Sequence, residues 1–149
     1  MYNLYSEYSA KQNRIFHDAK MDSLTYKYIR QSRLTNILLA AGTDVNATDN
    51  YGSTALHLAA NNNCIETAKL LLDSDANPDT TNNSRWTALH FAAINCHTEI
   101  VKLLLSRGAN PNAIDMGKRT ALYYASSRGH TEIIELLQAA MRKYFAKQN

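Results

Sequence analysis

A chain of 149 residues with 45% hydrophobic and 19% charged side chains has the composition of an ordinary folded protein, which excludes a disordered polymer. Its longest apolar runs, Ile37–Ala41 and Leu70–Leu72, fall far below the roughly 20 residues of a membrane-spanning helix. The net charge of +3 is small but uneven, with the excess of cations at residues 11–33 and 142–149 and a surplus of acidic groups between.

The basic ends are expected to be solvated flanks, because no aromatic and basic recognition motif accompanies them, so nucleic acid is not the expected partner. The opening residues Met1–Tyr8 lack a basic stretch followed by an apolar one, so no secretory signal is expected and the placement is cytoplasmic by default. In that setting Cys64 and Cys96 are expected as free thiols.

In chain order, residues 1–15 read as a tyrosine-rich leader carrying Tyr2, Tyr5 and Tyr8. A less regular helix pair is expected inside 21–41, marked by Leu34–Gly42 and followed by Asp44-Val-Asn46. From there two words recur in one phase. Thr54-Ala-Leu-His57, Thr87-Ala-Leu-His90 and Thr120-Ala-Leu-Tyr123 are spaced by 87 − 54 = 33 and 120 − 87 = 33 residues. Lys69-Leu-Leu-Leu72, Lys102-Leu-Leu-Leu105 and Glu135-Leu-Leu137 keep the same period. A fixed period of this size is the signature of a stacked repeat.

Within each period two apolar-periodic segments are separated by a turn, which predicts helix pairs near 54–72, 87–105 and 120–140. Thr54, Thr87 and Thr120 are placed to cap the first helices. Gly42 and Gly108 are placed to end the second ones in a left-handed conformation. The gaps 46–53, 79–86 and 112–119, rich in Asn, Asp, Gly and Ser, predict turns along one edge of the stack. Ile133–Met141 runs on without a Gly-Ala-Asn terminator, so residues 130–145 are expected as one capping helix onto which Tyr144 and Phe145 pack.

These words strongly resemble the ankyrin repeat, most closely at Asp49–Ala60 and His97–Ala109. The resemblance implies an all-α solenoid of stacked antiparallel helix pairs with projecting β-turn or hairpin loops. It divides the chain into the leader 1–15, a degenerate capping repeat 16–48, repeats 49–81 and 82–114, and a last repeat with an extended helical tail at 115–149. The asparagine usage at Asn61-Asn-Asn63 is similar to that of ankyrin proteins of intracellular bacteria. A host-directed role would then need a signal-less route of export. Arg85 and Lys118 stand where Gly52 marks the first turn, so the later turns are expected to differ from it in shape.

The resemblance also implies a non-catalytic module that binds another protein through a concave face, as adaptor, inhibitor or effector. No cofactor, metal or small-molecule substrate is implied, and the chain is expected to be a monomer. Mapped residue by residue, the partner-binding positions are Tyr51, Ser53, Asn61, Asn62, Asn83, Trp86, Ile94, Asn95, Met116, Arg119 and Arg128. Trp, Tyr and Arg are the residue types most enriched at interface hot spots. The rival expectation is a structural spacer of a larger array without a partner of its own.

The residues that suggest chemistry read as structural. His57, His90, His97 and His130 belong to repeat words, and Tyr123 interrupts the series that a metal site would keep. Cys96 and His97 are sequence neighbours without an orienting third group. Glu66, Glu99 and Glu132 favour the positive ends of second helices.

Overall fold

The computed structural model describes residues 39–149, and the leader and nearly all of the pair expected at 21–41 lie outside that range. The described helices are α1 (Ala55–Asn61), α2 (Ile65–Asp73), α3 (Ala88–Ile94), α4 (Thr98–Ser106), α5 (Ala121–Arg128) and α6 (Thr131–Gln148). Strand pairing among the described residues is confined to one antiparallel bridge, Thr48 to Thr54. None of these helices is long and apolar enough to cross a membrane.

Each pair folds for the same local reasons. Thr54, Thr87 and Thr120 sit in extended backbone immediately before α1, α3 and α5. The link inside each pair turns on one left-handed residue, Asn63, Cys96 or Gly129, at φ 56, 60 and 71. An N–H to C=O bond then closes it, from Cys64 to Ala59 at 2.9 Å, His97 to Ala92 at 2.9 Å and His130 to Ala125 at 3.0 Å. Glu66, Glu99 and Glu132 follow in the first turns of α2, α4 and α6, where the helix dipole favours a negative charge.

The pairs stack in two rows, α1–α3–α5 inside and α2–α4–α6 outside. Ala59, Ala60, Ala92, Ala93 and Ala125 are buried between inner helices, where a side chain of one methyl lets the backbones approach closely. Leu56, Leu89, Ile100, Val101, Leu104, Ile133 and Leu137 fill the space between rows. Each such aliphatic side chain contributes about 1.5–3 kcal/mol when fully buried. A single pair of seven- and nine-residue helices would leave that surface wet, so the stack is what makes the helices stable.

Four histidines join the repeats. His57 Nδ1 lies 3.0 Å from the Thr54 N–H nitrogen, and Nε2 lies 2.9 Å from the Trp86 carbonyl oxygen of the next repeat. His90 repeats this with Thr87 at 3.1 Å and the Arg119 carbonyl at 3.1 Å. Because Nδ1 accepts from a backbone N–H, the proton must sit on Nε2, where it donates forward. His97 and His130 reach backward to the carbonyl oxygens of Ala60 and Ile94, at 2.8 and 3.3 Å. The metal-like residues of the sequence are therefore spent on joints between neighbours.

α6 runs further than its counterparts because it lacks the left-handed terminator that Asp75 supplies after α2 and Gly108 after α4, at φ 64 and 83. Tyr144 is half-buried, whereas Phe145 is 59% exposed and does not pack back onto the stack as expected. Residues 144 and 145 are adjacent on a helix, so only one of them can face the array. Truncation after Met141 should therefore lower stability by only about 1 kcal/mol, the scale of one half-buried aromatic side chain, as read by urea unfolding.

Burial lowers the pKa of both His57 and His90 from the usual 6.5, more than their hydrogen-bonded carbonyls raise it. The folded chain then binds fewer protons than the unfolded one, so stability is full above about pH 6.5 and falls as pH drops below it, until the folded histidines themselves protonate. Urea midpoints should fall between about pH 7.5 and pH 5, and the slope should flatten in a His57→Gln/His90→Gln variant.

Candidate protein-binding face

The turns before the inner helices share one hydrogen-bonded frame. The carboxylate of Asp49 accepts the N–H groups of Tyr51 and Ser53, both at 2.9 Å. Asn82 does the same for Ser84 and Trp86 at 3.0 and 2.9 Å, and Asp115 for Gly117 and Arg119 at 2.8 and 2.9 Å. Main-chain bonds close each turn, Gly52 to Asp49 at 3.0 Å, Arg85 to Asn82 at 2.9 Å and Lys118 to Asp115 at 3.0 Å. The three donors sit at φ 71, 60 and 59, so the turns have one shape and the expected difference between them is absent. The side-chain frame overrides local preference, at a cost of roughly 1–2 kcal/mol for each left-handed residue other than glycine.

Successive turns are also bonded to each other. The Asn83 N–H donates to the Tyr51 carbonyl at 2.9 Å, and the Met116 N–H to the Ser84 carbonyl at 3.2 Å. The tips thus form a ladder that fixes the side chains displayed along it.

The positions picked out in the sequence divide into three kinds. Tyr51 and Met116, at 75% and 72% exposure, project from the tips with nothing packed over them. Asn61, Asn62, Asn83, Asn95, Arg119 and Arg128 are exposed, and Ser53, Trp86 and Ile94 are half-buried. Several of the exposed amides are already employed: Asn62 and Asn95 donate to the Leu58 and Phe91 carbonyls at 2.8 and 3.0 Å. Asn95 also reaches Asn61 at 3.0 Å, and Asn83 reaches the Asn50 carbonyl at 3.3 Å.

Trp86 does not stand free at its tip. Its ring lies 4.9 Å from Phe91 and 4.7 Å from Tyr124 of the next repeat, and the latter stands at a right angle to Tyr123 at 5.4 Å. Leu58, Phe91 and Tyr124 occupy the same position in successive inner helices and are exposed, half-buried and buried in turn, and none of them is among the positions expected from the sequence. The signal was present, since each lies four residues after a capping threonine. Tyr123, 52% exposed, was also missed, having been read only as an interruption of the histidine series.

Asp115 is the one buried carboxylate among the described residues, at 1% exposure. Burial alone would raise its pKa. The Tyr124 hydroxyl, the Arg119 and Gly117 N–H groups and the Arg119 guanidinium outweigh burial and hold it down at about 2. Burial and the facing carboxylate push Tyr124 up to about 12. The guanidinium pairs with Asp115 at 3.1 Å and lies over Tyr124 and Tyr123, 5.2 and 5.8 Å from their ring centres. Gly117 makes room for it, because a Cβ there would come within 2.8 Å of the Arg119 Nε.

Among the described residues no group of three or more His, Cys, Asp or Glu side chains comes together as a metal ion would require. The arrangement offers rings, amides and guanidinium groups on a hydrogen-bonded backing.

Tyr124→Phe removes a hydrogen bond to a buried charge and should destabilise the chain by about 1.5–3 kcal/mol. In the parent chain Asp115 contributes stability that is present above about pH 4 and is lost as pH falls toward 2. Urea unfolding of the variant between these values should show a shallower pH dependence than the parent.

Comparison with known families agrees with this construction. The family described as ankyrin repeats in three copies matches residues 27–115, and the family described as ankyrin repeat matches residues 117–141. A search of curated proteins finds no match to the chain. With most of its length matched and its helix pairs repeating in register, the chain belongs to the ankyrin-repeat family, whose members are typically non-catalytic and generally serve as protein–protein interaction modules.

Proposed function

We propose that this chain is a non-catalytic, monomeric binding module that acts as an adaptor, inhibitor or host-directed effector by occupying a partner's surface with its turn tips and inner helices. The observation that carries this reading is the large apolar and aromatic side chains left exposed on that face. Tyr51 and Met116 are largely exposed at the tips and Leu58 is exposed on α1, with the half-buried Phe91 and the buried Tyr124 at the equivalent positions of α3 and α5. A surface with no partner would favour charge at those tips. Apolar and aromatic groups there instead supply contact area at low entropic cost.

Of the positions expected from the sequence, Tyr51 and Met116 are the ones best suited to direct contact, with Asn83 and Arg119 adding polar groups on the tips and Asn61 and Arg128 at the far ends of α1 and α5. Ser53, Asn62, Trp86, Ile94 and Asn95 complete the face while also holding it in shape. Tyr51→Ala/Met116→Ala should leave the melting temperature unchanged, since neither side chain is packed, and should abolish recovery of partners in a quantitative pull-down. Equal recovery by parent and variant would sink this reading.

A further inference from the structure

The left-handed position of each turn can be filled by glycine with no loss of hydrogen bonding. Gly52 does so at φ 71, and the same bond is made by Arg85 and Lys118 at φ 60 and 59. A long side chain disfavours this backbone, and neither residue has the short polar group that lets Asn or Asp adopt it readily. Both side chains are exposed, and neither forms an ion pair with the described residues. Two cations are therefore kept on consecutive tips, in conformations that glycine would adopt more easily, with no side-chain ion pair among the described residues to account for them. Strain kept in this way points to a use outside the fold.

The surroundings agree in sign. The turns and inner helices carry Arg85, Lys118, Arg119 and Arg128, and their carboxylates are Asp49, Asp79 and Asp115, of which Asp79 accepts the Asn110 N–H of the next repeat at 2.7 Å. Asp115 is buried and bonded to Tyr124 and Arg119. Asp49 lies on the first turn and is engaged by backbone N–H groups. Arg119 uses Nε and Nη2 on Asp115, which leaves its Nη1 donors open, and its stacking on two tyrosines holds it in place. A fixed guanidinium forfeits less entropy on pairing than a free one.

We propose that the second and third turns bind an acidic segment of the partner protein, its carboxylates meeting Arg85, Lys118 and Arg119 and an apolar side chain lying against the exposed Met116. This rests on the protein-binding reading above and adds the chemistry of the partner. A nucleic acid is the less suitable occupant. Its continuous phosphate backbone would meet the Asp49 carboxylate on the adjoining turn, and the Trp86 ring is packed between Phe91 and Tyr124 and is not free to stack a base.

The test is a selection of short random peptides displayed on phage against the full chain, with the selected peptides then titrated by fluorescence anisotropy. Selected sequences should be rich in Asp and Glu beside an apolar residue. Arg85→Gly/Lys118→Gly should weaken them about tenfold, the scale of two partly exposed charge pairs. Its melting temperature should be equal to or above the parent's, because glycine relieves the backbone. Selection of neutral or basic peptides, or an acidic preference that the double variant retains, would overturn the inference. So would equal affinity for a short duplex DNA. If neutral peptides are selected and Tyr51→Ala/Met116→Ala releases them, the binding face stands and only its chemistry is wrong. If nothing is selected, or neither double variant matters, the binding reading fails with it.

Discussion

The fold depends on contact between neighbouring repeats, because helices of seven to nine residues have no stability of their own in water. Everything else in the molecule follows from how that contact is made. Alanines allow inner helices to touch, leucines and isoleucines fill the gap between the two rows, and histidines tie each repeat to the next. The His57 ring holds the first N–H of its own helix with one nitrogen and the last carbonyl of the neighbouring turn with the other. Core packing and turn position are thereby set by a single side chain.

That coupling explains why the tips are regular although their sequences are not. Asp49, Asn82 and Asp115 each gather the N–H groups of their turn, and His57 and His90 fix where the second and third turns end. Within this frame the outward positions are free to change identity, from Gly52 to Arg85 to Lys118, without altering the backbone. Trp86, Phe91 and Tyr124 join the second and third described repeats through their rings. Substitutions there would cost stability, whereas Tyr51, Met116, Arg85 and Lys118 are exposed and can be exchanged with little effect on it.

The period of 33 residues made the helix starts legible, because the threonine and leucine of each Thr-Ala-Leu word are buried or half-buried and therefore constrained. Glu66, Glu99 and Glu132 are exposed, and their use was legible from the preference of a helix start for negative charge. What was not legible depends on contacts between residues far apart in the chain. Nothing local to Trp86 says that Tyr124, in the next repeat, will lie against it. The turn geometry is not legible from the residues at the left-handed positions taken singly, because the carboxylate or amide three residues earlier imposes the conformation. Phe145 was misplaced because helical phase, not hydrophobicity, decides which of two adjacent aromatics faces the array.

Tyr123 occupies the position from which His57 and His90 reach forward. A phenol has no pair of opposed nitrogens, so it cannot hold its own helix start and a following turn in one gesture. Anyone lengthening this scaffold by grafting further repeats would find the adhesive missing at this seam. The graft would need an imidazole restored at 123 and a left-handed stop introduced near 141 before a new unit could dock in register.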